Sequence, residues 1–307
     1  VRAQLFGVAT AAVDATPARI RYGAARALGN AAYLLGGDLR RQARENYAAI
    51  LGERPETPRV GRVAREAVVG YVKLMADFLL LPALSQERIR RMVEVTGLQH
   101  IDAVLSRRRG AIVVTPHFGS WDMAAAAAVA HGVKLTAVAD RYGDSALDRR
   151  VVGAREKFGM RVVPVGAGAG RAVLRALRRN EVVALVCDLP KEGRNVAVSL
   201  LGQPAMVPAG PAVLALRTGA PLVPITCRRL PDNRYRLDIE EEVHFTPTGR
   251  EAIDVPALAQ AIVDRFTATL RALPEQWYLF SRMWGLVDDA GLAISRNAGG
   301  AGAVAAG

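Results

Sequence analysis

The chain has 307 residues, 51% of them apolar, and 41 Lys+Arg against 29 Asp+Glu give it a formal net charge of +12. Length and apolar share predict a large buried core, in one sizeable domain or in a domain with a helical appendage. Two cysteines in apolar segments and four histidines without ligand spacing argue against a disulfide framework and a metal site, while the basic excess favours anionic partners.

The opening "VRAQLFGVATAAVDATPARI" is broken by Asp14 and Pro17, so it lacks the layout of a secretory signal peptide. No apolar run reaches the roughly 18 residues a spanning helix needs. Residues 1–100 read as a helical region. "PARIRYGAARALGNAAYLLGG" lines up Ile20, Ala24, Leu28, Ala31, Ala32 and Leu35 on one face, with Arg19, Arg21 and Arg26 elsewhere. A second helix is expected through "LRRQARENYAAILG", ending at Gly52, and a third through "VGRVAREAVVGYVKLMADFLLLP", closed by Pro82. No strand pattern stands out before residue 100. The stripe on the first helix and the apolar run at residues 74–85 have two readings, attachment to a membrane surface or packing against the rest of the protein.

From residue 110 short runs rich in Val and Ile appear: "AIVVT", "KLTAVAD", "RVVPV", "EVVALVCD" and "PLVPITC". Helical segments at residues 121–131, 145–158, 171–179 and 211–218 separate them. This alternation predicts an α/β fold, a central mostly parallel sheet flanked by helices, with the N-terminal helical region packed on it. "NRYRLDIEEEVHF" reads as a late antiparallel strand, and a helix is expected over 255–273. The expected organisation is a helical region at 1–100, an α/β core at 101–290 and a disordered low-complexity tail at 291–307.

"TPHFGSWDMAAAA" places His117 just after a buried strand and Asp122 in the first turn of a helix capped by Ser120. With four histidines and 29 acidic residues, a carboxylate five positions after a histidine arises by chance about 0.4 times, so spacing alone proves nothing. Position adds weight, because ligand crevices in open α/β sheets lie at the carboxyl ends of strands. Asp122 is expected to point back at His117, fixing its tautomer while the ring takes a proton from a hydroxyl. A helix cap and a structural histidine are the alternative reading. Close packing is the expected use of the alanine run Ala124 to Ala128. The "GAGAG" turn at residues 166–170 imitates a dinucleotide fingerprint, but its spacing is wrong and Arg171 stands where the third glycine belongs.

"HFGSWD" resembles the H-x4-D/E element of glycerolipid and lipid A-type acyltransferases. The downstream block "VVALVCDLPKEGRNVAVSLLGQPAMVPAGPAVLALRTGAPLVPI" is similar to the second block of lipid A lauroyl-type and phosphatidylinositol mannoside acyltransferases. The likeness covers residues 105–225 well and is closest to the mannoside branch; "SLLG", at residues 199–202, departs from the usual paired aromatics. The resemblance implies an O-acyltransferase moving a fatty acyl group from acyl-CoA or acyl carrier protein to a hydroxyl of a membrane glycolipid or lysophospholipid, most closely a phosphatidylinositol mannoside. His117 is then the general base and Asp122 its partner. Asp140, Arg141, Arg155 and Asp188 become substrate-binding candidates, carboxylates for sugar hydroxyls and arginines for phosphate. No metal or redox cofactor is implied. Backbone N–H groups near residues 118–120 are candidates for the oxyanion site.

The basic surface then fits peripheral attachment to the cytoplasmic face of an anionic membrane, and no nucleic-acid-binding motif is present. A lipid A-type lauroyl acyltransferase and a non-catalytic basic lipid-binding protein are the alternatives. A hydrolase lacks a G-x-S-x-G elbow and would have to use Ser120.

Overall fold

The computed structural model describes residues 10–139, 145–166, 168–190 and 193–285, with side chains described for these except 145–147. Asp140, Arg141 and the tail at 291–307 lie outside the described residues.

Three long helices come first: α1 (Ala18–Leu35), α2 (Gly37–Leu51) and α3 (Pro58–Leu80). Thr57 caps α3, its side chain accepting from the Val60 N–H, with Pro58 at the first helical position. Gly52 ends α2 in the left-handed conformation, at the expected position. The apolar stripe of α1 does not face the core. Ile20, Leu28 and Leu35 are 63%, 64% and 86% exposed. The buried face is Arg21, Tyr22, Ala25, Gly29 and Tyr33. Gly29 permits this packing, because a Cβ there would lie 2.7 Å from the Val69 Cα of α3. The run at 74–85 is largely core instead, with Leu74, Leu80 and Leu81 fully buried.

Helix α4 (Gln86–Met92) leads into β1 (Val93–Thr96), a strand inside the region read as helical. Four residues ending a basic helix carry too little alternation to announce a strand; pairing with β9 (Tyr235–Ile239) creates it. Then follow α5 (Leu98–Leu105), β2 (Ala111–Thr115), α6 (Trp121–Ala130), β3 (Leu135–Ala139), α7 (Ser145–Lys157), β4 (Arg161–Pro164), α8 (Ala169–Arg178) and β5 (Val182–Val186). A separate hairpin, β6 (Asn195–Leu200) and β7 (Gln203–Pro208), precedes α9 (Gly210–Thr218), β8 (Leu222–Arg229), β9 and α10 (Glu251–Ala272).

The seven-stranded sheet runs β1-β9-β8-β2-β5-β3-β4. Its central strands are parallel, and β9 is antiparallel to β8, as the late alternating segment predicts. Every residue of β2 is buried, which explains its uninterrupted apolar run. One face packs against α8, α9, α10 and the hairpin, the other against α4, α5 and α6. The "SLLG" segment forms the hairpin turn, with Leu201 and Gly202 both at positive φ. Leu200 is buried in the α10-side core.

The N-terminal helices hold the C-terminal segment in place. Asn46 donates to the carbonyls of Leu279 and Ser281 and accepts from the Met283 N–H, and the Tyr47 hydroxyl donates to the Trp277 carbonyl at 2.6 Å. This clamp carries Trp277 under the carboxyl edge of the sheet.

Candidate active site

His117 follows β2, and its ring pairs with Asp188, which follows β5. The Nδ1–Oδ1 distance is 2.7 Å, the His117 backbone N–H donates to Oδ2 at 2.9 Å, and the Trp277 indole N–H donates to Oδ2 at 2.7 Å. Strand register explains the pairing: Thr115 lies opposite Val186, so two residues on along each strand His117 meets Asp188. The side chain of Asp188 is 3% exposed and that of His117 is 20% exposed. Burial pushes the Asp188 carboxyl up, but the His117 charge and the donors from His117 and Trp277 outweigh it and hold the carboxyl below the usual range. An ionised carboxylate can only accept, so Nδ1 is assigned as the donor to Asp188, and Nε2 is the ring nitrogen left available to a substrate.

Asp122 has a different partner. Arg155 grips it with two bonds, Nε to Oδ1 at 2.7 Å and Nη2 to Oδ2 at 3.2 Å. The expected His117–Asp122 pairing is therefore replaced by two pairs, His117–Asp188 and Asp122–Arg155. Ser120 caps α6 by accepting from the Met123 N–H, which fixes Asp122 in the first turn; α7 brings Arg155 to it. The Arg155 guanidinium also stacks over the Phe78 ring at 5.3 Å.

The loop between them is rigid. Gly119 has φ +59°, and a Cβ there would sit 1.8 Å from the Cys227 carbonyl oxygen. The Phe118, Gly119 and Ser120 N–H groups donate to the carbonyls of Pro116, Gln276 and Cys227. All three are engaged, which corrects the expectation that they await an oxyanion. Trp121 stands edge-on to the His117 ring, 5.2 Å between centroids.

His117, Trp121, Asp122 and Arg155 border a cavity of about 180 Å³ that runs between the sheet and α6. Its walls are apolar: Ala124, Ala125 and Ala128 on the helix and Ala137 and Ala184 on the sheet, among larger side chains such as Leu98, Ile101 and Met160. The alanine run thus divides, with Ala126 and Ala127 packed in the core and three others opening a channel. No serine or cysteine is among the described residues lining it. Ser120 is fully buried as a cap. The Cys187 thiol is pushed well up by burial and by Asp188, so it stays protonated.

Of the six candidate residues, the structure gathers His117, Asp122, Arg155 and Asp188 at one edge; Asp140 and Arg141 lie outside the described residues. Trp277, which donates to Asp188, is a site residue that sequence reasoning does not find. It stands in "PEQWYLF", and nothing in its spacing marks it as a partner of Asp188.

Residues 3–285 match the model of the family described as bacterial lipid A biosynthesis acyltransferase. A phosphatidylinositol mannoside acyltransferase of Mycolicibacterium smegmatis (strain ATCC 700084 / mc(2)155) is 31% identical over 247 residues, covering 79% of this chain and 79% of that protein. Proteins of the same description from Mycobacterium tuberculosis, strains CDC 1551 / Oshkosh and ATCC 25618 / H37Rv, are each 30% identical over 248 residues, covering 79% of this chain and 76% of theirs. The likeness extends through the helices, the sheet and the clamp segment alike, so the chain belongs to the bacterial lipid A biosynthesis acyltransferase family and is a glycolipid O-acyltransferase.

Proposed function

We propose that the protein transfers a fatty acyl group from an acyl thioester, acyl-CoA or acyl carrier protein, to a hydroxyl of a membrane phosphatidylinositol mannoside, with His117 as general base. The observation that carries this reading is His117, tautomer-locked by a buried Asp188, at the mouth of an apolar channel. The acyl chain lies along the alanine walls. His117 Nε2 takes the proton of the acceptor hydroxyl as its oxygen attacks the thioester carbonyl. The tetrahedral oxyanion collapses, the C–S bond breaks, and the imidazolium returns the proton to the thiolate. Asp188 stabilises the imidazolium, and the Arg155 guanidinium, held by Asp122, supplies positive charge for the oxyanion or for a phosphate of the substrate. The acceptor's own oxygen is the nucleophile, in keeping with a channel lined by no serine or cysteine among the described residues.

The test uses purified protein, radiolabelled palmitoyl-CoA and phosphatidylinositol mannosides or lysophospholipids as separate acceptors. His117→Ala is expected to lower transfer by about 10²–10⁴. Transfer at the parent rate sinks the assignment.

The site of action we infer is the cytoplasmic face of the membrane. No helix among the described residues is long and apolar enough to cross a bilayer. The exposed stripe of Ile20, Leu28 and Leu35, with Arg19 and Arg26 on its flank, suits a helix lying on an anionic surface. Both cysteines are free and buried, which suits a reducing compartment. Leu28→Asp should cut sedimentation with vesicles containing phosphatidylglycerol by several-fold while leaving the melting temperature unchanged; undiminished binding removes α1 from the contact.

A further inference from the structure

Trp277 is fully buried, and its indole N–H donates to Asp188 Oδ2 at 2.7 Å. A buried indole needs some acceptor, and a backbone carbonyl would serve. Here the acceptor is the carboxylate that faces the His117 ring. The His117 backbone N–H shares Oδ2 at 2.9 Å, which leaves Oδ1 to the ring nitrogen at 2.7 Å. The two donors on Oδ2 fix the plane of the carboxylate and aim its other oxygen at the ring. Backbone pairing holds Trp277 in place. The segment 276–278 is wedged between the His117 loop and β8. The Gly119 N–H donates to the Gln276 carbonyl at 2.8 Å and the Tyr278 N–H to the His117 carbonyl at 2.9 Å. Phe118 and Trp277 form an antiparallel bridge. The Gln276 side chain accepts from the Arg229 N–H and donates to the Arg229 carbonyl. From the other side, Tyr47 of α2 donates to the Trp277 carbonyl at 2.6 Å.

The donor matters most when His117 is neutral. A carboxylate only 3% exposed is costly to keep ionised without a cation beside it. N–H donors then carry its charge, and each one removed favours the form in which the pair holds a further proton. Beside an imidazolium the same indole bond adds less, because the ring itself supplies the charge. Loss of the N–H therefore moves proton uptake by the pair to higher pH. The other groups facing the pair from its neighbours do not titrate with it. Burial pushes up Cys187 of β5, Cys227 of β8, Tyr47 of α2 and Tyr278 of the segment, so all four stay protonated. Asp122 of α6 is neutralised by Arg155 of α7, and Arg229 of β8 by Asp77. Burial and then Glu66 push up the Glu275 carboxyl, and Glu275 is common to every variant compared. We propose, on the assignment of His117 as base, that Trp277 is a positioning residue for acyl transfer. Its indole N–H holds Asp188 ionised and aimed at Nδ1, which keeps neutral His117 available at lower pH.

The experiment compares the full parent chain with Trp277→Phe, with benzothienylalanine incorporated in place of Trp277, and with Trp284→Phe. The benzothienyl side chain keeps the two-ring shape and puts sulfur where the indole has N–H. Trp284 stands edge-on to Trp277, 6.2 Å between centroids, and donates to the Asn46 carbonyl. Its loss removes an indole N–H without touching the carboxylate. Two readouts are followed against pH. One is kcat/KM for transfer from palmitoyl-CoA to a phosphatidylinositol mannoside. The other is the nitrogen NMR signal of the His117 ring, identified by its loss in His117→Ala. Both variants at position 277 are expected to move the midpoint of each profile up by about 0.5–1 pH unit, part of the worth of a hydrogen bond to a charged group. Trp284→Phe should leave both midpoints in place. A lower rate with both midpoints unchanged in the benzothienyl protein means that the indole only packs; this overturns the proposal and leaves His117 as base. An NMR midpoint that moves while transfer is absent from the parent, or keeps its pH profile, overturns the proposal together with the role of His117. If neither variant at 277 keeps the native fold while Trp284→Phe does, the indole serves packing first and the proposal falls.

Discussion

Asp188 and Asp122 border the same channel and are both buried, yet they are wired differently. Asp188 ends a strand, accepts three hydrogen bonds from His117 and Trp277, and touches the ring that we assign as base. Asp122 starts a helix and is bound edge-on by the Arg155 fork. In the mechanism we propose, the first carboxylate tunes a proton acceptor; the second holds a cation in place. A carboxylate's position in the fold, more than its distance along the chain from a histidine, decides which task it can perform.

The sharpest way to break that comparison is Asp188→Asn. The amide keeps the shape but loses the charge that stabilises the imidazolium and selects the tautomer, so a fall in transfer of about 10²–10⁴ is expected. Stability should change with pH in a matching way. The folded carboxyl lies below its unfolded value, so the stabilisation it provides is fully present above the unfolded value. It is lost as pH falls through the lower folded value. Acid unfolding of the parent should therefore contain a component that Asp188→Asn lacks. Superimposable stability–pH curves would show that Asp188 is not held ionised.

Asp122→Asn should cost less, about 10–10² in transfer, because Arg155 keeps its charge and loses its anchor. The discriminating measurement is a double-mutant cycle. Asp122 should couple strongly to Arg155, by about 1–3 kcal/mol in transition-state free energy, and weakly to His117. The reverse pattern would restore the pairing suggested by their spacing in sequence.

That spacing shows where sequence reading succeeds and where it stops. The strand–helix alternation, the Ser120 and Gly52 caps and the strand-end position of His117 are local features, set by propensity and hydrophobic period, and they are legible. The His117–Asp188 bond is not, because it depends on β2 lying beside β5 in a given register across 71 residues of chain. Asp188 could be recognised as a strand-end carboxylate facing the crevice, but its partner could not. The stripe on α1 was visible from its period, whereas its outward orientation follows from Tyr22, Gly29 and Tyr33 packing on α3. Strand β1 owes its existence to β9, far along the chain.

The smallest expected effect concerns the channel between the two carboxylate pairs and the sheet. Trp121, Ala124, Ala125 and Ala128 recur at helical spacing on the channel side of α6, opposite Ala137 and Ala184 on the strands. The methyl groups on both walls leave room between larger lining side chains such as Leu98 and Met160. Ala128→Leu places a branched side chain into that space. Filling a void in an apolar site costs little stability, since the new carbons replace empty volume rather than displacing packed neighbours. The acyl chain must then give up the volume. Transfer from palmitoyl-CoA should fall about tenfold while transfer from a short acyl-CoA changes little, because a few displaced methylenes are worth about 1–3 kcal/mol in an apolar pocket. The ratio of the two rates is the quantity to measure. A ratio equal to the parent's would mean that the acyl chain takes another route, and the alanines of α6 would then serve packing alone.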